Sequence, residues 1–254
     1  MTHPDPVAFT IFGYDIMWYG TLIACGAALA CFIAYKRAPI HGIVPEATID
    51  ATIWALPIGI IGARIYYVVF SYADYAGDFR RMIDIRGGGL AIHGGLIAGI
   101  ITMLVFSKVR KIDPVAMLDL FIPSVALAQA IGRWGNFFNG EAHGGPTDLP
   151  WAILVGGERV HPTFLYESIW CLIIFAVLIH LDRKGTFRGQ IFCTYLIMYS
   201  AERFFVEGLR TDSLMIGPLR QAQVISIALL VLGIAGMVFF EKRNMPGGKS
   251  LGER

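Results

Sequence analysis

Charge is scarce in this chain of 254 residues: 16% are Asp, Glu, Lys or Arg, against about 25% in an average soluble domain. With 56% hydrophobic residues and a mean hydropathy of +0.60, that scarcity implies an integral membrane protein. The formal charge of +2 is too small to build a basic face, so nucleic-acid binding is not expected. Only four cysteines occur, Cys25, Cys31, Cys171 and Cys193, all within apolar runs and none in C-x-x-C spacing. Neither a disulfide framework nor a zinc site is indicated. H-E-x-x-H and G-x-S-x-G are also missing, which removes the simplest metalloprotease and serine-hydrolase readings. The segment MTHPDPVAFTIFGYDI lacks a basic n-region and a small-residue cleavage site, so the first apolar helix is expected to stay in place.

What the chain does contain is apolar runs near the length of roughly 20 residues that a bilayer core demands. They fall at 17–35, 51–70, 89–106, 115–131, 163–181, 189–209 and 221–240. The expected fold is therefore all-α, a single polytopic membrane domain over 1–254 with about seven spans. Two connections are longer than the rest, 71–88 and 132–162, and a short tail covers 241–254. No internal repeat is evident.

Basic residues orient the spans. Lys36, Arg37, Lys108, Arg110, Lys111, Arg183, Lys184, Arg188, Lys242, Arg243, Lys249 and Arg254 share one face, expected to be cytoplasmic. The amino terminus and both longer connections then lie outside. The outer basic residues are Arg80, Arg81, Arg86, Arg133, Arg159, Arg203, Arg210 and Arg220, without a lysine. Guanidinium, planar and multidentate, suits a phosphate-bearing partner better than a point charge does.

Polar residues that are hard to explain as lipid-facing gather at that same boundary: Tyr19 in WYG, His93 in GGGLAIHGGL, the stretch GRWGNFFNGE, and Arg203 with Glu207. Ionisable groups at that depth are costly unless paired or hydrated. Tyr199, Arg203 and Glu207 are spaced i, i+4, i+8 and share a helix face. That face could bind an anion, or Arg203 and Glu207 could pair merely to seal the helix end. Glycines on both sides of His93 permit close approach by backbone or substrate. Arg133, Asn136 and Asn139 recur every three residues and form a polar stripe if the helix continues; Gly132, Gly135 and Gly140 permit a turn if it unwinds. Trp134, Phe137 and Phe138 read as interface anchors. For Glu141, a loop role and a catalytic one stand level.

HGGL at 93–96, GRWGNFFNGE at 132–141, HPTFLYES at 161–168 and RFFVEGLRTDSL at 203–214 together resemble the bacterial prolipoprotein diacylglyceryl transferase family. WYG fits too, so the likeness spans nearly the whole chain. Trp134, where an aliphatic residue is expected, and Glu202, which has no assignable role, depart from it. The resemblance implies a polytopic enzyme of the bacterial inner membrane. It would move the diacylglyceryl group of phosphatidylglycerol to the lipobox cysteine of a prolipoprotein signal peptide, with no metal or organic cofactor. It further implies that Arg133 and Arg203 clamp the headgroup phosphate, supported by Asn136, Glu141, Gly144 and Tyr199. Tyr19 and His93 would sit beside them, with Asn139, Glu207 and Arg210 behind or gating the pocket. Transport of an anionic lipid by the same arginines is the competing reading; the clustering at one boundary and the lack of repeat halves weigh against it. An intramembrane hydrolase using His93 and an unidentified serine is weaker still.

Overall fold

A computed structural model describes residues 4–85, 88–184, 187–211 and 214–243. Arg86, Asp212 and Ser213, and the tail from position 244 with Lys249 and Arg254, lie outside the described residues. Strands β1 (Val7–Ile11) and β2 (Tyr14–Met17) form an antiparallel hairpin that runs into α1 (Trp18–Arg37). A short 3-10 turn (Ala38–His41) leads to α2 (Pro45–Phe70), followed by the small helices α3 (Tyr72–Tyr75) and α4 (Phe79–Ile83). Then come α5 (Ile92–Arg110) and α6 (Pro114–Asn139), the hairpin β3 (Ile153–Val155) and β4 (Glu158–Val160), and α7 (Thr163–Lys184). The chain continues with α8 (Gln190–Leu209), the minimal hairpin β5 (Met215–Ile216) and β6 (Leu219–Arg220), and α9 (Gln221–Lys242).

The long helices cover all seven apolar runs, and the expected all-α fold gains three hairpins. Their strands of two to five residues are too short to leave a pattern in sequence; the first hairpin precedes α1 and the other two lie in connections between helices. Six of the long helices are long and apolar enough to cross a membrane. The exception, α8, has a matching length of 20 residues but carries Glu202, Arg203 and Glu207 together in its last third.

Pairing of helices follows small residues. In lipid, helices gain little from hydrophobic burial against each other, so close backbone approach and polar contacts hold them. A Cβ on Gly94 of α5 would lie 2.3 Å from the Gly62 carbonyl oxygen of α2, and one on Gly62 would lie 2.3 Å from the Ala98 Cβ. No side chain fits there. Gly94 and Gly95, directly after His93, therefore serve helix contact. In α6, Asp113 caps the start by accepting from Val115 N–H at 2.9 Å, with Pro114 at the first position. Gly140, at φ 66°, ends the same helix in the left-handed conformation. Of the two geometries open to GRWGNFFNGE, the helical one holds as far as Asn139.

Two arginines, Arg37 and Arg64, are buried. Arg37, 7% exposed, turns into the bundle at the end of α1. Its Nε donates to Asp182 Oδ2 at 2.8 Å and its Nη1 to the Leu120 carbonyl at 2.6 Å, while His41 Nε2 lies 3.0 Å from Asp182 Oδ1. Asp119 nearby accepts from the Gly189 and Phe192 backbone N–H groups at 2.5 and 2.9 Å, and so caps α8. Arg64, inside α2, donates to the carbonyls of Arg81, Met82, Gly88 and Gly89 at 2.6 to 2.9 Å. It ties the connection between α2 and α5 to the helix wall.

Candidate functional site

At the end of the bundle opposite Arg37, α6, α7 and α8 each bring one charged side chain to a common point. Arg133 Nη1 of α6 lies 2.8 Å from Glu167 Oε2 of α7. Arg203 Nη1 of α8 donates to the other oxygen, Oε1, at 2.7 Å. One carboxylate thus joins two guanidiniums from different helices. Its residue is 1% exposed, whereas the arginine side chains retain 19% and 20% of their surface. Arg203 Nη2 also meets Glu207 Oε2 at 2.6 Å, the helical i, i+4 pair read from sequence.

The surrounding residues mostly converge on this point. Tyr199, one turn before Arg203, is within Coulomb reach of Arg133, Arg203, Glu167 and Glu202, and its ring stacks on Tyr195 at 5.4 Å between centroids. Tyr19 of α1 crosses α6 at Gly135, where a Cβ would stand 2.4 Å from its ring. Only glycine lets that ring in. Tyr19 also feels both Arg133 and Glu141 electrostatically. Asn136 and Asn139 continue the stripe from Arg133 along α6. Asn139 Nδ2 donates to Glu141 Oε1 at 3.1 Å, just beyond the helix end. Gly144 is buried and forms an antiparallel bridge with Arg210; a Cβ there would come within 2.7 Å of the His161 Cβ and 3.0 Å of the Leu209 carbonyl. Gly144 therefore locks the segment after α6 onto the end of α8, through its lack of a side chain.

His93 is the residue that the described contacts do not join to the others. It is exposed in the first turn of α5, its ring tilted against Tyr66 at 6.1 Å. Among the described residues no hydrogen bond or ion pair links it to Arg133 or Arg203. Trp134, read as an interface anchor, is 40% exposed, and it also donates its indole N–H to Ser168 Oγ at 3.2 Å and packs edge-on against Phe164. It braces the start of α7 beside Glu167.

Sequence reasoning passed over Glu167 although it stands in HPTFLYES. An acidic residue inside an apolar run carries the same warning as an arginine there. Glu202 is 5% exposed, among the helices and near Glu167, with both carboxylate oxygens lacking a hydrogen-bond partner among the described residues. Within the described residues no group of three or more His, Cys, Asp or Glu could hold a metal ion. Two partly exposed arginine side chains, with tyrosine and asparagine beside them, suit an anion with several oxygen acceptors.

Comparison with known proteins points the same way. Residues 6–239 match the family model described as prolipoprotein diacylglyceryl transferase. A phosphatidylglycerol–prolipoprotein diacylglyceryl transferase of Clostridioides difficile (strain 630) is 54% identical over 240 residues, covering 94% of this chain and 97% of that protein. Proteins of the same name from Finegoldia magna and from Synechocystis sp. are 51% and 45% identical, covering 94% and 96% of this chain and 97% and 92% of those proteins. With a match across nearly its whole length and two arginines joined on one buried carboxylate, the chain belongs to the prolipoprotein diacylglyceryl transferase family.

Proposed function

We propose that this chain transfers the diacylglyceryl group of phosphatidylglycerol to the lipobox cysteine of a prolipoprotein, forming a thioether and releasing glycerol phosphate. The observation that carries the mechanism is the convergence of Arg133 and Arg203 from separate helices on one buried point, each side chain still partly exposed. Phosphatidylglycerol presents a phosphodiester, and two guanidinium forks match its oxygens.

In the reaction the peptide thiol gives its proton to His93. The sulfur attacks the glyceryl carbon that bears the phosphate ester, a C–S bond forms, and the C–O bond breaks with its electron pair going to the phosphate oxygen. Charge grows on that oxygen in the transition state. Arg133 and Arg203, in a site of lowered dielectric, stabilise it more than they stabilise the diester. Asn136, Glu141, Gly144 and Tyr199 shape the headgroup site, and Tyr19 borders it beside Gly135. Asn139, Glu207 and Arg210 hold its rim. The exposure of His93 suits a base that must meet a peptide arriving from outside the bundle.

The chain acts as one membrane domain of the bacterial inner membrane with seven spans, α8 included, its charged last turns lying in the site at the outer boundary. All six lysines fall on the opposite face, which the positive-inside rule assigns to the cytoplasm. An impermeant thiol reagent on intact cells should label Thr2→Cys and spare Ser250→Cys; the reverse pattern overturns this topology. The activity itself is tested by incubating purified protein with phosphatidylglycerol and a lipobox peptide, then weighing the peptide. A diacylglyceryl mass gain on cysteine is the expected result, and an unmodified cysteine would defeat the reading.

A further inference from the structure

Glu167 is an odd presence in a site meant to bind a phosphate. It is almost fully buried, it carries the same charge as the ligand, and it engages both of the arginines that the ligand needs. We infer that Glu167 is a positioning residue that sets both the spacing and the net charge of the Arg133–Arg203 pair, so that the pair grips the phosphate without trapping the product. The inference rests on the reading that these arginines hold the headgroup phosphate.

Spacing comes first. The two oxygens of Glu167 each take one Nη1, at 2.8 and 2.7 Å, so the guanidiniums are held apart by the width of a single carboxylate. Two bare cations that close together would repel in a poorly solvated site. Each guanidinium has five N–H donors, and the bridge leaves donors on both for another anion. The arginine side chains keep 19% and 20% of their surface exposed, so neither is sealed off by the bridge.

Net charge follows from counting the groups in contact. Arg133 and Arg203 contribute two positive charges, and the carboxylates touching them, Glu167 and Glu207, contribute two negative ones. Glu202 lies near but forms no ion pair with either arginine. Before substrate arrives the cluster is therefore close to neutral. The substrate phosphodiester carries one negative charge, while the product, a phosphate monoester, carries about −1.5 to −2 at neutral pH. A pair of uncompensated guanidiniums would hold product more tightly than substrate and slow its release. Glu167 offsets one of those charges at the place where product binds.

The role separates from a merely structural one because removing Glu167 should move turnover and anion affinity in opposite directions. In purified protein, Glu167→Gln should lower kcat at least roughly tenfold while tightening the Kd for glycerol phosphate by at least about threefold. Calorimetry reads the second quantity without turnover. A lower kcat together with weaker glycerol phosphate binding, or a kcat within about twofold of wild type, overturns the proposal. Glu167→Asp keeps the charge but shortens the reach, so it should slow turnover at least about threefold with glycerol phosphate affinity within about twofold of wild type. This second variant decides the matter if the glutamine protein does not fold; wild-type kcat in it overturns the proposal. Failure of both variants to purify folded assigns Glu167 to the scaffold alone and overturns it as well. A wild-type protein that forms no thioether defeats the functional reading instead, and its glycerol phosphate affinity against that of Glu167→Gln still decides this one.

Discussion

The two ends of the bundle each hold a buried ionic cluster built from arginine and carboxylate, and they differ in how completely the arginine is used. Around Arg37 every guanidinium nitrogen has a partner: Asp182, the Leu120 and Asp119 carbonyls, and His41. The carboxylate of Asp119 is likewise filled by two backbone N–H groups at the start of α8. At the other end Arg133 has one ion-pair partner among the described residues, Glu167, and keeps part of its surface open. Saturation marks a cluster that holds helices together. The cluster at the other end is the one in the proposed headgroup site. Residue types alone would not have separated the two, and their depth in the chain's apolar runs would not have either.

The comparison breaks most visibly if the Arg37 cluster is opened. Asp182→Ala leaves a buried guanidinium uncompensated and should cost about 3 kcal/mol of stability. Melting in detergent should show that loss, with the transfer rate per folded molecule within about twofold of wild type. A large drop in turnover without loss of stability would mean that this end also takes part in the reaction.

Next in size is His93, which belongs to neither cluster. A general base is worth on the order of a hundredfold, so His93→Gln should slow transfer by about that factor. Raising the pH should recover part of the rate, because a thiol ionised in advance needs no base. Equal impairment at every pH, with poor binding of phosphatidylglycerol, would make His93 a residue that positions substrate.

Lysine at the open cluster tests geometry against charge. Arg133→Lys and Arg203→Lys should each reduce transfer at least roughly tenfold, about 1.4 kcal/mol in the barrier, while the protein inserts and purifies normally. Wild-type rates in both would show that the directed hydrogen bonds of the fork do not matter. The smallest effect is expected at the rim. Asn139 and Glu141 form an exposed hydrogen bond, and Asn139→Ala should change transfer by less than about threefold, under 1 kcal/mol. A loss as large as that of the lysine variants would extend the working site past the end of α6.

Much of the scaffold was legible because apolar length is a one-dimensional signal: the run at 163–181 became Thr163–Lys184, and 221–240 became Gln221–Lys242. Arg133 and Arg203 were legible for a related reason, since a charge beside an apolar run must be accounted for. Glu167 was harder to see, because its meaning depends on partners 34 and 36 residues away on other helices. The spacing that exposes an i, i+4 pair is silent about such contacts. Gly94 shows the same limit: glycine signals close approach, but only the fold reveals that the approaching group is the α2 backbone. The hydrogen bond of Trp134 was hidden for the same reason, because the hydroxyl it binds, Ser168, belongs to another helix.

Arg64 has a consequence for how freely this protein can change. Its four acceptors are all main-chain carbonyls, at Arg81, Met82, Gly88 and Gly89. Any amino acid supplies a carbonyl, so the side chains at 81 and 82 can drift without loosening the anchor. Gly89 is different, because its φ of 72° and the 2.4 Å between a Cβ there and Arg64 Nη1 leave no room for substitution. A segment tethered in this way has a mutational tolerance that is wide at positions such as 81 and 82 and narrow at Arg64 and at the left-handed glycines Gly77, Gly88 and Gly89. The connection between α2 and α5 can thus diversify its surface chemistry while its path over the helix wall stays the same.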